Sequence, residues 1–342
     1  MKQTGAASQP LIEPNGSVRY GLFDQPVSEV NYRDADLRTA MNKPAGRLRR
    51  WAGFNRFQYF GVIGDDLIAG CALADTRWVG LVFVYVFQPS SGKLQRQTFH
   101  LPLAAGLQLT CSPIAGESVF KRGKNQIAMR YASGVKSLSV KLAAGISMQL
   151  SFSDEACQPL SLCSKTGRSG WVYAQKAAGV AASGVIDCEF GRFDLTAQHA
   201  YAHHDFSAGY MRRETWWNWA CFSGQLADGR AVGLNVSCGV NETSYSENCY
   251  WLNGKHYPLG LADFEFQRGN PDSPWRVFTP DGRLELNFTP LGAHREKLNA
   301  VVLASDFSQF FGRFNGTIVT DDGERLEING QLGFVEDQFA RW

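Results

Sequence analysis

The chain has 342 residues, a formal net charge of +2, 13% aromatic residues and 35 glycines. A near-neutral chain of this length can bury a substantial core, and nothing in its charge asks for nucleic acid or an anionic membrane as partner. Many aromatics together with many glycines suit short strands and tight turns and argue against a helical bundle.

The first thirty residues are polar and broken by Pro10, Pro14 and Pro26, which predicts an extended arm. Met1 to Pro14 carries no apolar run of the secretory kind, so a cytoplasmic chain is expected. Arg33 to Met41 is expected to make one short helix, ended before Pro44. Arg47, Arg49 and Arg50 form the densest basic cluster, read as a solvated loop edge in preference to a phosphate site.

Strand patterns begin at Trp51. Phe57 to Ile63 and Leu67 to Leu73 flank Gly64-Asp65-Asp66, a hairpin signal. Trp78 to Phe87 is rich in Val, Phe and Tyr, which lose rotamer freedom in a helix. It is the longest apolar run, and far short of the roughly 20 residues that span a bilayer. No integral membrane segment is expected, which leaves a transient visit to a membrane surface open. Short strands follow at Gln95 to Leu101, Ser118 to Lys121, Gln126 to Ala132, Ser137 to Leu142 and Ser147 to Phe152, in the rhythm of a meander. Asp228-Gly229 joins Phe222–Leu226 to Ala231–Ser237, and Asp321-Asp322-Gly323 joins Gly312–Thr320 to Arg325–Val335. No long stretch has a helical period.

Eight cysteines are scattered without a CxxC pair. They are expected to be free thiols acting as small core hydrophobes. Dinucleotide and phosphate loops, a zinc-protease helix and a nucleophile elbow are all missing, so neither a cofactor nor a metal is expected.

Residues 171–238 carry the most chemistry. Lys176 lies in a strand-like run from Trp171. Then come His203, His204, Asp205, Tyr210, Arg212 and the tryptophans Trp216, Trp217 and Trp219. A carboxyl group beside aromatics has its pKa raised by desolvation and can donate a proton near neutrality. Tryptophan faces can stabilise a developing cation. Asp205 is thus a candidate acid, with His203 or His204 to orient it or position water. Lys176, Tyr210, Arg212 and the three tryptophans are candidate ligand contacts. Each has a plainer reading. Asp205 could be salt-bridged to Arg212 or Arg213, one histidine could be a hydrogen-bonded structural group, Lys176 could snorkel at the surface, and the tryptophans could be core.

This segment runs strand, Gln-Lys, Gly, small-Gly strand, His-Asp-x-x-x-Gly, Trp-x-Trp, Asp-Gly. That order resembles the junction in the two-domain lipocalin-like superfamily of carotenoid hydratases and AttH-like proteins. Over nearly its full length the chain resembles the bacterial family called domain of unknown function 2804. That likeness rests on Gln175-Lys176-x-Ala178-Gly179 and the ending Gly333-Phe334-Val335-Glu336-Asp337-Gln338-Phe339-Ala340-Arg341-Trp342. The resemblance implies two calycin-type barrels packed together around a ligand cavity. It places Asp205 at the acidic position with which the hydratases protonate a double bond. The chain departs from them at Ala208, where they carry Trp before the Gly, and in the pair His203-His204.

The expectation is an all-β protein of two lipocalin-like antiparallel barrels, residues 1–208 and 209–342. Its partner is a hydrophobic small molecule, a lipid or isoprenoid, with acid-catalysed hydration or isomerisation of a double bond. Two alternatives are a non-catalytic carrier and a carbohydrate-binding protein. Burial separates them, since sugar-stacking tryptophans line an open groove and lipid-lining ones a closed cavity.

Overall fold

The computed structural model describes residues 8–240, 243, 245–300 and 303–341. Residues 1–7 of the expected arm and Trp342 of the quoted ending lie outside them. Among the described residues the strands fall into three antiparallel sheets. The first runs in the order Gly21–Leu22, Leu160–Lys165, Trp171–Ala181, Tyr201–Gly209, Asn55–Gly64, Leu67–Asp75, Val79–Gln88, Lys93–Pro102. The second holds seven strands drawn from residues 107–194. The third holds nine, and its centre is built from Glu214–Gln225, Arg325–Arg341 and Leu303–Val319. The chain leaves the first sheet at Gly209 and enters the third at Glu214.

Burial follows from where each sheet lies. The second sheet covers the first on one side and meets water on the other. Its strands therefore alternate, as in Asn125–Ala132, where Ile127, Met129 and Tyr131 point inward. The first sheet is covered on both faces. Phe60, Val62, Val82 and Val84 face the second sheet. Tyr59, Ile63, Tyr85 and Phe87 face Trp219, Phe311 and Phe334 of the third. This is why Trp78–Phe87 reads as an unbroken apolar run. The third sheet curls around its own core of Phe222, Leu234, Leu286, Phe310 and Val335.

Gly179 closes the join between first and third sheets. It has φ +72°, sits at a register shift between Ala178 and Val180, and a Cβ there would come within 2.8 Å of the Gly233 nitrogen. Its N–H donates to Ser223 Oγ at 2.9 Å. A side chain at this position would push the sheets apart.

Two expectations about helices are corrected. Arg33–Met41 is not a helix: only Tyr32–Asp34 forms a short 3-10 turn. Asn42, at φ 61°, closes a tight turn in which Thr39 N donates to the Lys43 carbonyl, so the chain reverses there. The helix lies instead at Arg47–Ala52, across the basic cluster read as a loop edge. Arg50 donates to the Ala35 and Ala45 carbonyls and so ties down the arm. Among the described residues no helix is long and apolar enough to cross a membrane.

Candidate functional site between the first and third sheets

Two rows of side chains face each other across the join. In the first sheet, backbone pairing sets Lys176 beside Asp205 and Asp205 beside Tyr59. In the third, it sets Gln309 beside Glu336, Glu336 beside Trp219 and Trp219 beside Ser237. Between the rows lies a cavity of about 250 Å³ with a mostly apolar wall. Lys176, Asp205, Glu247 and Glu336 mark its polar end, and Trp217 and Trp219 stand beside them.

The polar end is an ion cluster. Lys176 Nζ donates to Asp205 Oδ2 at 2.6 Å and lies 3.2 Å from Glu247 Oε1. It also stands 5.0 Å from the centre of the Trp219 ring. Ser207 Oγ donates to Asp205 Oδ1, and Ser237 Oγ to Glu247 Oε1. Burial disfavours the Lys176 ammonium, but Asp205 and Glu247 outweigh it and hold its pKa above the usual lysine value. Burial raises Asp205; Lys176 opposes that and Glu247 adds to it. The Glu336 carboxyl accepts from Trp217 Nε1 at 3.1 Å and Gln309 Nε2 at 2.8 Å. Burial nevertheless pushes it up to about 7.

The residues predicted from sequence divide by the period of two along a strand. His203 shares a face with Asp205 but bonds elsewhere: its Nε2 lies 3.2 Å from Tyr59 Oη, which in turn is 2.6 Å from Tyr85 Oη. Burial lowers the His203 pKa to about 3, so the ring is neutral. His204 points the other way, toward the second sheet, with Nε2 3.2 Å from Tyr131 Oη and its ring edge-on to Phe60. Both histidines are buried, and the hydrogen bonds of their rings go to Tyr59 and Tyr131, not to Asp205, as an orienting role would need. The cation on Asp205 is Lys176, in place of Arg212 or Arg213, and Lys176 is buried, not snorkelling.

Trp217 and Trp219 line the cavity; Trp216, on the other face of the same strand, is 48% exposed and does not. Tyr210 packs against Phe54 and Trp171 in the core under the arm and donates to the Arg50 carbonyl. Arg212 is exposed and outside the cavity wall. A second cleft, about 310 Å³, lies at the surface between the arm and Arg168–Trp171. Its Asp36–Arg38 pair is solvent-exposed and none of the ion cluster lines it.

Sequence reasoning missed Glu247 and Glu336. Glu336 directly follows the apolar Phe334-Val335 and shares the parity of Phe334, and an acid at an inward position of such a run is the signal that could have found it. Glu247 lies two residues before the strand Cys249–Leu252 and has no local signature. Among the described residues no group of acidic, histidine and cysteine side chains has the makings of a metal site.

A family model described as domain of unknown function, DUF2804, matches residues 2–342. No curated protein matches the sequence. Among solved structures the chain is similar to CghA, with a TM-score of 0.57 and 11% identity over 98% of this chain and 97% of that one. CghA solved with Sch210972 gives 0.55 and 11% over 97% of each chain. The AttH-like protein NE1406 of Nitrosomonas europaea gives 0.44 and 13%, covering 83% of this chain and 91% of that one. Kievitone hydratase of Nectria haematococca gives 0.45 and 6%, covering 82% and 88%. The likeness to CghA is one of fold.

Proposed function

The chain belongs to the DUF2804 family, whose name carries no activity, and we therefore propose a function from the site itself: it binds a small, largely apolar molecule in the cavity between its first and third sheets and moves a proton on it, with Glu336 as the proton carrier. The observation behind this is a buried carboxyl on a mostly apolar cavity wall; burial pushes its pKa up to about 7, which suits a group that gives and takes a proton near neutrality. Asp205 suits the acid's role less well, because Lys176 at 2.6 Å favours its charged form.

Isomerisation of a double bond, or its hydration, is the class of reaction that needs such a group. Glu336 would protonate one carbon of the double bond; once ionised it would take a proton from the carbon next to the cation, whose C–H electrons form the shifted double bond, or from a water whose oxygen bonds to the cationic carbon, while the indole rings of Trp217 and Trp219 face the developing cation. About 250 Å³ lies just below the roughly 300 Å³ at which drug-sized pockets begin. The ligand is therefore a compact molecule, or one end of a longer isoprenoid or lipid entering between Leu298 and Leu303 at the rim. Division of the chain into two units near residue 209 belongs to this reading, since the cavity then lies between them. Trp219 is too buried for an open sugar-stacking groove, which weighs against carbohydrate.

Infrared spectroscopy tests the proton carrier. A protonated-carboxyl band that titrates near neutrality and is missing from Glu336→Gln is the expected result. A band that stays in the variant, or is absent from the native protein, contradicts the assignment.

A further inference from the structure

Among the described residues the polar end of the cavity holds one cation, Lys176, for two carboxylates, Asp205 and Glu247. Lys176 lies between Asp205 and Glu247, and one positive against two negative charges leaves an excess of one negative charge where solvent screening is weak. The other cations on the wall are committed elsewhere. Arg56 pairs with Asp75 and donates to the Leu109 carbonyl. Lys297 pairs with Asp306 at the rim, and Arg341 with Glu214. Glu296, nearer the mouth, adds another carboxylate, bonded by His294 and Thr98 and 3.9 Å from His100.

Hydrogen-bonding capacity leans the same way. Gln338 is on the wall and 6% exposed. Its amide nitrogen donates to Ser305 Oγ and the Phe339 carbonyl, and its Oε1 has no donor among the described residues. Asn55 Oδ1, also on the wall, is in the same position. Arg56 Nε is a donor without an acceptor among the described residues, but on a guanidinium already paired with Asp75.

Resting on the reading that this cavity binds an apolar molecule, we propose that the ligand is an organic amine, anchored as its ammonium ion against Asp205 and Glu247, and that carboxylates such as fatty acids are rejected. Lys176 is the protein's own instance of what the site accepts: an ammonium on an alkyl stem, held by two carboxylates and an indole face. A second ammonium completes the charge. A carboxylate would meet three acidic side chains and a lysine already engaged. Glu336 stands in the opposite row, so the anchor leaves it to the proton step.

Calorimetric titration of the full chain near neutral pH with phenethylamine, phenethyl alcohol and phenylacetate, which share a ring and a similar length, tests this. The amine is expected to bind roughly tenfold or more tightly than the alcohol, as a charge-assisted hydrogen bond gives, with phenylacetate weakest. Glu247→Gln keeps the shape of the site, removes the excess charge, and should bring the amine down to the alcohol. An amine no tighter than the alcohol in the native protein overturns the proposal while alcohol binding leaves the cavity reading standing. A full amine preference surviving in Glu247→Gln overturns it too. Binding of none of the three overturns both readings.

Discussion

Two buried lysines lie on opposite sides of the first sheet, and their surroundings differ. Lys136 reaches from the second sheet into the space between it and the first sheet. There it donates to Gln175 Oε1 at 2.8 Å and meets one partly exposed carboxylate, Asp154, at 3.3 Å. Burial outweighs Asp154 and lowers its pKa. Lys176 follows Gln175 in the same strand, points the other way, and meets two buried carboxylates that outweigh burial. Burial alone therefore does not mark a functional cation. A lysine packed among core side chains such as Tyr131 is part of the packing; one beside a cavity, with carboxylates in excess, is equipped to bind.

That contrast breaks first at Lys176. Lys176→Met leaves Asp205 and Glu247 buried without their cation and should cost about 3–5 kcal/mol in denaturant unfolding. A loss below about 1 kcal/mol would mean that the cluster is not the ion pair described here.

Next comes Glu336, where the sign of the pH effect is fixed. Its folded pKa of about 7 lies above the ordinary 4.5. The folded state thus holds a proton that the unfolded chain releases. That contribution is complete below the unfolded value and is lost as pH rises through the folded one, about 3 kcal/mol in all. Glu336→Gln, which cannot ionise, should gain on the native protein by that order between about pH 4 and about pH 8. Parallel stability curves for the two proteins would remove Glu336 from its role.

Lys136→Met sharpens the comparison from the other side. Replacing a buried cation whose burial outweighs its partner by an apolar side chain of similar length should change stability by no more than about 1 kcal/mol, of either sign. The smallest effect is expected at Arg212, exposed and outside the cavity: Arg212→Ala should stay within about 0.5 kcal/mol and leave uptake of a hydrophobic dye unchanged.

How much of this was legible in the sequence depended on which face a strand buries. Ile127, Met129 and Tyr131 alternate with polar residues because one side of their sheet meets water, and that strand could be read directly. The Asp228-Gly229 and Asp321-Asp322-Gly323 turns were equally open. The first sheet buries both faces, so the run Val79–Gln88 betrayed a strand but gave no hint of which side would hold the cavity. In the site, Lys176, Asp205, Trp217 and Trp219 could be picked out because they fall in one segment. Trp216, His204 and Tyr210 were swept in with them, although alternation alone sets Trp216 opposite Trp217 and His204 opposite Asp205. Glu336 and Glu247 come from other parts of the chain; the apolar run before Glu336 could mark it as buried, but that it meets Trp219, and Glu247 meets Lys176, is set by long-range pairing and contact.

Uptake of the dye Nile red, compared between the native protein and a variant with the space filled, decides whether the gap between the first and third sheets is a binding cavity. Ala74 is on the wall, and Ala74→Phe puts a ring into the space. Saturable uptake at one site is expected in the native protein, lost or strongly weakened in Ala74→Phe while the fold, read by circular dichroism, is kept. No uptake by the native protein, or equal uptake by a folded variant, would contradict it.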